Sequence, residues 1–184
     1  SEKQHPKSTK RSMRTKRLSI FGSQKSRSLR VDSKFLGSMV VKKGELKRIY
    51  RGIYTYKTEY NYWELANKIK TPSYVSLESV LVEVGVVFQD YGQIIFSVSN
   101  NTVVKTAPER DFHYQQIKTE ILSNPQGIEF GQVMQASPER AICDRLYLTP
   151  GYYFDNLESI NKDKLIHLAK IYNQRVYQEV KNLC

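Results

Sequence analysis

The chain has no apolar run approaching the ~18 residues that a membrane-spanning helix requires. Its three histidines, His5, His113 and His167, are scattered, and no two share the spacing of a metal site. Two cysteines, Cys143 and Cys184, make neither a ligand pair nor a disulfide framework, and read as a buried thiol and a terminal one. The nine glycines are dispersed, so no glycine-rich loop can cradle a phosphate. The N-terminus is basic but lacks the apolar stretch of a secretory signal, which makes the cytoplasm the expected compartment. The alternative is a transit peptide, since residues 8 to 30 are rich in Arg and Ser. The sequence thus predicts no metal, no cofactor and no membrane association.

What the chain does have is charge, unevenly placed. Its net charge is +11 over 184 residues. Residues 1 to 54 carry 16 Lys or Arg against Glu2, Asp32 and Glu45, a net +13, whereas residues 55 to 184 carry 13 basic against 15 acidic residues, a net −2. Neutralising phosphates supplies most non-specific affinity for nucleic acid, so this split suits a nucleic-acid-binding head joined to a near-neutral domain. Residues 1 to 14, without periodicity, read as a disordered basic tail.

Beyond the tail, patterning begins. Asp32 or Ser33 can cap a helix from Lys34 to Val41, with Phe35, Leu36, Met39 and Val40 on one stripe and Gly44 past its end. Gly37 inside that helix costs about 1 kcal/mol relative to Ala. The stretch ELKRIYRGIYTY follows and alternates with period two, with Leu46, Arg48 and Tyr50 facing one way and Lys47, Ile49 and Arg51 the other. Gly52 would bend it, and Ile53 to Tyr56 would return. A short helix followed by a basic hairpin is how a winged helix-turn-helix ends. Residues 15 to 56 are therefore expected to form a winged-helix-like module. Lys34, Lys42, Lys43, Lys47, Arg48 and Arg51 would contact phosphates or enter a groove, with help from Arg27 and Arg30. Tyr50 and Tyr54 lie in the same ribbon, where they could stack on unpaired bases.

Residues 57 to 184 read as a mixed α/β domain with antiparallel strands and a long C-terminal helix, making the whole chain α+β. Tyr62 to Ile69 is helical, with Trp63, Ala66 and Ile69 inward. Ser76 is expected to cap a core helix striped by Leu77, Val80, Leu81 and Val84 and ended by Gly85. Gln93 to Ser99 and Thr102 to Ala107 read as a hairpin turning at Ser99-Asn100-Asn101. Phe112 to Lys118 and Ile128 to Gln135 read as strands joined through Asn124-Pro125-Gln126-Gly127. Ser137-Pro138 opens a helix with Ile142, Leu146 and Tyr147 on its buried face, ended by Pro150-Gly151. A final helix should run from Lys162 to Asn182, capped by Asn161, with Leu165, Leu168, Ala169, Tyr172, Val176, Val180 and Leu183 in one stripe.

Catalytic chemistry finds little support. Ser76 and Ser79 have no histidine or carboxylate nearby in sequence to activate them, so they read as cap and packing residues. Glu139, Arg140, Asp144 and Arg145 invite a nuclease reading, but Arg140 and Asp144 stand at the i, i+4 spacing of a surface ion pair, and Glu139 complements a helix N-terminus. Tyr74, Tyr147 and Tyr172 read as packing residues.

The stretches GELKRIYRGIY, TPSYVSLESVLVEVGVV, and HYQQIK before IEFGQVMQASPERAICDRLYL, in this order, resemble the AbiEi-type antitoxin and transcriptional-regulator family of bacterial type IV toxin–antitoxin systems. The resemblance covers Gly44 to Leu148, and Pro-Ser-Tyr-x-Ser-Leu-x-Ser together with Ser-Pro-Glu-Arg-Ala-x-x-Asp-x-Leu-Tyr-Leu carries it. It implies a non-enzymatic repressor whose winged helix binds operator DNA. Paired sites on that DNA would suit a homodimer. The resemblance also implies a functional link to a nucleotidyltransferase toxin, with no direct contact required. An alternative from another class is a protein-interaction module whose basic head holds nucleic acid without specificity.

Overall fold

A computed structural model describes residues 19–21, 47–55 and 59–184. The chain divides into two compact units, Ser1–Thr58 and Glu59–Cys184. The expected tail and the expected helix from Lys34 to Val41 lie outside the described residues.

In the first unit a three-stranded sheet has the order β1-β3-β2. Strand β2 (Lys47–Tyr50) and strand β3 (Ile53–Thr55) form the antiparallel hairpin anticipated from the alternation, and β1 (Ser19–Phe21) pairs with β3 in parallel. Arg51 and Gly52 make the turn, and Gly52 has φ +82°, a backbone that L side chains rarely adopt. Ile49, Ile53 and Thr55 are buried and anchor the hairpin.

The second unit is α+β around a mixed six-stranded sheet of order β6-β7-β5-β4-β9-β8. Helix α1 (Tyr62–Ile69) is capped by Asn61, whose side chain accepts from the N–H groups of Trp63 and Glu64. Ala66 is buried as expected, but it is joined by Glu64 and Leu65, while Trp63 and Ile69, also expected inward, are half-buried. Strand β4 (Ser73–Val75) follows, then α2 (Glu78–Glu83). Leu77, Val80 and Leu81 are buried as expected, but Ser76 is not the cap. Its N–H bonds the Phe96 carbonyl, extending the strand, and its hydroxyl is taken elsewhere in the core. The helix starts one residue later from Leu77, at φ 58°, without a side-chain cap.

Strands β5 (Ile94–Ser99), β6 (Val103–Ala107) and β7 (Arg110–Gln116) form where expected, but β5 and β6 are not a hairpin. Strand β7 lies between them, parallel to β5 and antiparallel to β6. Burial explains the order. Phe112 and Tyr114 of β7 are completely enclosed, as suits an inner strand, while β6 exposes Val104 and Thr106 as an edge strand can. A short helix α3 (Thr119–Leu122) then intervenes before β8 (Ile128–Glu129) and β9 (Gln135–Ala136). The single strand expected over Ile128 to Gln135 is therefore two short ones, paired antiparallel across a loop. That loop is held by side chains of α1. Asn67 bonds both the N–H and the carbonyl of Met134, and Gln132 donates to Glu64.

Helix α4 (Pro138–Leu148) begins as read, with Ser137 accepting from the Arg140 N–H and Pro138 in the first turn. The final helix is broken into α5 (Lys162–Ala169) and α6 (Gln174–Leu183). Asn173 starts α6 as a second N-cap, accepting from the Val176 N–H. The apolar stripe survives the break, since Leu165, Leu168, Ala169, Val176 and Val180 are all buried.

The register divides the helices between the two sheet faces. Val75, Ser97 and Tyr114 are aligned across β4, β5 and β7, and the Tyr114 hydroxyl donates to the Ala66 carbonyl of α1. Tyr74 and Val98 point the opposite way by alternation, and Tyr74 reaches Asp144 of α4.

Candidate nucleic-acid interface

Of the eight basic residues expected to contact nucleic acid, Lys47, Arg48 and Arg51 lie in described structure, all on the β2–β3 hairpin and all exposed. Arg27, Arg30, Lys34, Lys42 and Lys43 lie outside the described residues. Strict alternation would have turned Lys47 inward with Ile49. Instead the register shifts between Arg48 and Tyr50, so Lys47 and Arg48 are both exposed while Ile49 is enclosed. Arg48 makes a long 3.4 Å bond from Nε to the Tyr50 carbonyl. Tyr50 and Tyr54 are half-buried beside these cations. The hairpin thus combines a buried apolar anchor with cations in water, which can exchange counterions for phosphates.

The residues that invited a catalytic reading are arranged quite differently. Arg140 and Asp144 are the i, i+4 pair expected on α4, but neither has any exposed side-chain surface; the pair belongs to the core and not the surface. Asp144 accepts from Ser76 at 2.7 Å, from Tyr172 at 2.6 Å and from Tyr74 at 3.1 Å. Arg140 lies 3.7 Å from Asp144 through Nε, and its other nitrogens donate to the Ile121 and Gln126 carbonyls at 2.7 and 2.9 Å. The guanidinium also lies 5.2 Å from the Tyr172 ring centre. Gly127 closes this pocket: a Cβ there would stand 2.9 Å from Leu168 Cδ1 and 3.0 Å from the Arg140 Cβ. Burial pushes the Asp144 carboxyl up, against the pull of Arg140 and the hydroxyl donors.

A carboxylate does, then, sit beside Ser76, contrary to the sequence reading, which saw none within reach. Three-dimensional folding brings it from 68 residues away. The contact is structural, because both side chains are enclosed and no substrate reaches them. Ser79 likewise serves the fold by accepting from the Phe96 N–H at 2.7 Å. Glu139 is bonded by Ser137 and by Lys164, at 2.9 and 2.7 Å. Burial raises its carboxyl, but these donors outweigh that and hold it below the ordinary value. Burial likewise raises the Cys143 thiol, while Cys184 is exposed. Among the described residues no three His, Cys, Asp or Glu side chains converge as a metal site, and no helix is long and apolar enough to cross a membrane.

An open groove of about 400 Å³ is lined by Thr102, Gln116, Lys118 and Tyr147 among others, without a carboxylate or histidine. The buried network was the main feature missed from sequence. Its signal was present, however, in the apolar Ala141-Ile142-Cys143 between Arg140 and Asp144, an unusual filling for a solvated helix. In comparisons with known proteins the chain matches no family model and no curated sequence.

Proposed function

We propose that this protein is a DNA-binding transcriptional regulator, a repressor of its own operon that also acts as the antitoxin of a type IV toxin–antitoxin pair, countering a nucleotidyltransferase toxin. The observation that carries DNA binding is the hairpin: Lys47 and Arg48 on β2 and Arg51 in its turn are all exposed, within a segment of net charge +13. Phosphate contacts of this kind set affinity and position, while base contacts set specificity. The regulator and antitoxin roles rest on the family resemblance of Gly44 to Leu148. The second unit acts as a non-enzymatic scaffold in this reading, consistent with Glu139 and Asp144 being engaged by neighbouring side chains.

The test is a gel shift of the full chain on the DNA upstream of its own reading frame against scrambled DNA, at two salt concentrations. Preferential retention of the upstream DNA at the higher salt is expected, because base contacts are less salt-sensitive than phosphate contacts. Equal loss on both DNAs would sink the repressor and leave a non-specific basic head. If the antitoxin role is right, co-expression should restore growth to cells arrested by a type IV nucleotidyltransferase toxin.

A further inference from the structure

We infer that the face formed by the loop after α2 and the segment after α4 is a docking surface for a basic protein partner. Six large apolar side chains are exposed among the described residues; Phe88 and Tyr153 belong to these two segments, and Val82 lies in the last turn of α2 just before the first. Phe88 is 69% exposed and Tyr153 is 79% exposed, far beyond what half-buried packing leaves. Neither is the tip of a loose loop. The Val86 carbonyl accepts from the Asp155 N–H at 2.9 Å and from the Asn156 N–H at 3.3 Å, and the Phe88 N–H donates to the Asp155 carboxylate at 2.9 Å. Between the two exposed residues Tyr153 and Asp155, Phe154 is buried and pins the segment. Aromatic groups held out in water by a fixed backbone bind with little ordering cost, which is why they anchor interfaces.

The charge on the same segments identifies the occupant. No Lys or Arg occurs between Lys70 and Lys105, or between Arg145 and Lys162. Glu83, Asp90, Asp155 and Glu158 lie in those intervals and are exposed. Three arginines approach, and all are engaged: Arg145 pairs with Glu78 at 3.0 Å and lies over the Tyr152 ring, Arg110 lies over the Tyr62 ring and reaches the Gly92 carbonyl, and Arg175 pairs with Glu179 and donates to the Leu146 and Tyr147 carbonyls. Nucleic acid and an anionic lipid surface would both be repelled by these carboxylates. A symmetric pairing of two copies would set the same carboxylates against each other. A protein surface rich in Lys or Arg, with an apolar group to meet Phe88 and Tyr153, satisfies both features.

The test uses the full chain and a fluorescein-labelled peptide rich in Lys and Leu, read by anisotropy, with a Glu- and Leu-rich peptide as control. The basic peptide should bind in preference, and rising salt should weaken it. F88A/Y153A and E83Q/D90N/E158Q should each weaken it at least about tenfold, the range that separates interface anchors from neutral contacts. F130A, an exposed aromatic elsewhere, should leave binding unchanged. Each variant is compared with the parent by its thermal transition, and the charge set decides the matter if the aromatic set unfolds. Equal binding of the two peptides, or unchanged binding by both variant sets, would overturn the proposal. Concentration-dependent self-association that the patch variants abolish would also overturn it, by assigning the face to a second copy.

Discussion

The protein uses arginine in two opposite ways. On the hairpin, Arg48 and Arg51 are exposed beside the buried Ile49 and Ile53. In the second unit Arg140 has no exposed surface and is surrounded by two carbonyls, two tyrosine rings and Asp144. Desolvating a charge costs several kcal/mol unless partners replace the water. The core arginine therefore depends on its neighbours, whereas the hairpin arginines are exposed, as the proposed phosphate contacts require. The same side chain is enclosed in one place and exposed in the other, and only the exposed one suits the ligand proposed for it.

Breaking the buried site should give the largest effect. Asp144→Ala leaves Arg140 enclosed without its counter-charge and orphans three hydroxyls, so stability should fall by about 3–5 kcal/mol in chemical denaturation. Replacing both partners by apolar residues of similar volume should recover much of that loss. A change below about 1 kcal/mol for the single variant would mean that water already enters the network. Next come purely apolar sites: Leu81→Ala and Leu146→Ala, both enclosed, should each cost about 2–5 kcal/mol.

The Glu139–Lys164 pair lies between the two extremes, half in water, and its effect is a pH dependence. Because the folded carboxyl lies below its ordinary value, its contribution is present above that value and is lost as pH falls through the folded one. Glu139→Gln should therefore be less stable at neutral pH and lose less stability on acidification than the parent, as followed by thermal transitions from neutral pH to pH 3. Parallel curves would remove Glu139 from the acid response.

The smallest effect on stability belongs to the hairpin. K47A/R48A/R51A should shift stability by under about 0.5 kcal/mol, as exposed positions do. Its effect on DNA is separate. The slope of log affinity against log salt should become shallower by roughly 0.9 per lost phosphate contact, up to about 2.7, on specific and random DNA alike. An unchanged slope would place the contacts elsewhere in the basic segment and erase the contrast drawn with Arg140.

Much of the local structure could be read directly from residues. Asn61 and Ser137-Pro138 mark helix starts, and Gly52 marks the hairpin turn, because caps and turns depend on neighbours within a few positions. The charge split between head and second unit needs only composition. The failures share a cause. Ser76 at a helix start looks like a cap until Asp144 arrives from α4 to claim its hydroxyl. Residues 162 to 182 carry an unbroken stripe, yet the chain turns at Asn173 while the Tyr172 hydroxyl reaches Asp144.

The sequence by itself thus determined where helices and strands are favoured, which residues are apolar enough to be enclosed, and that the first third is cationic. Only tertiary structure decided that β7 inserts between β5 and β6, and that Arg140 and Asp144 are enclosed rather than solvated. The reason is the range of the forces involved. Capping and periodicity act along the chain over a turn or two, whereas strand order and the burial of a charge depend on which distant groups arrive to replace water.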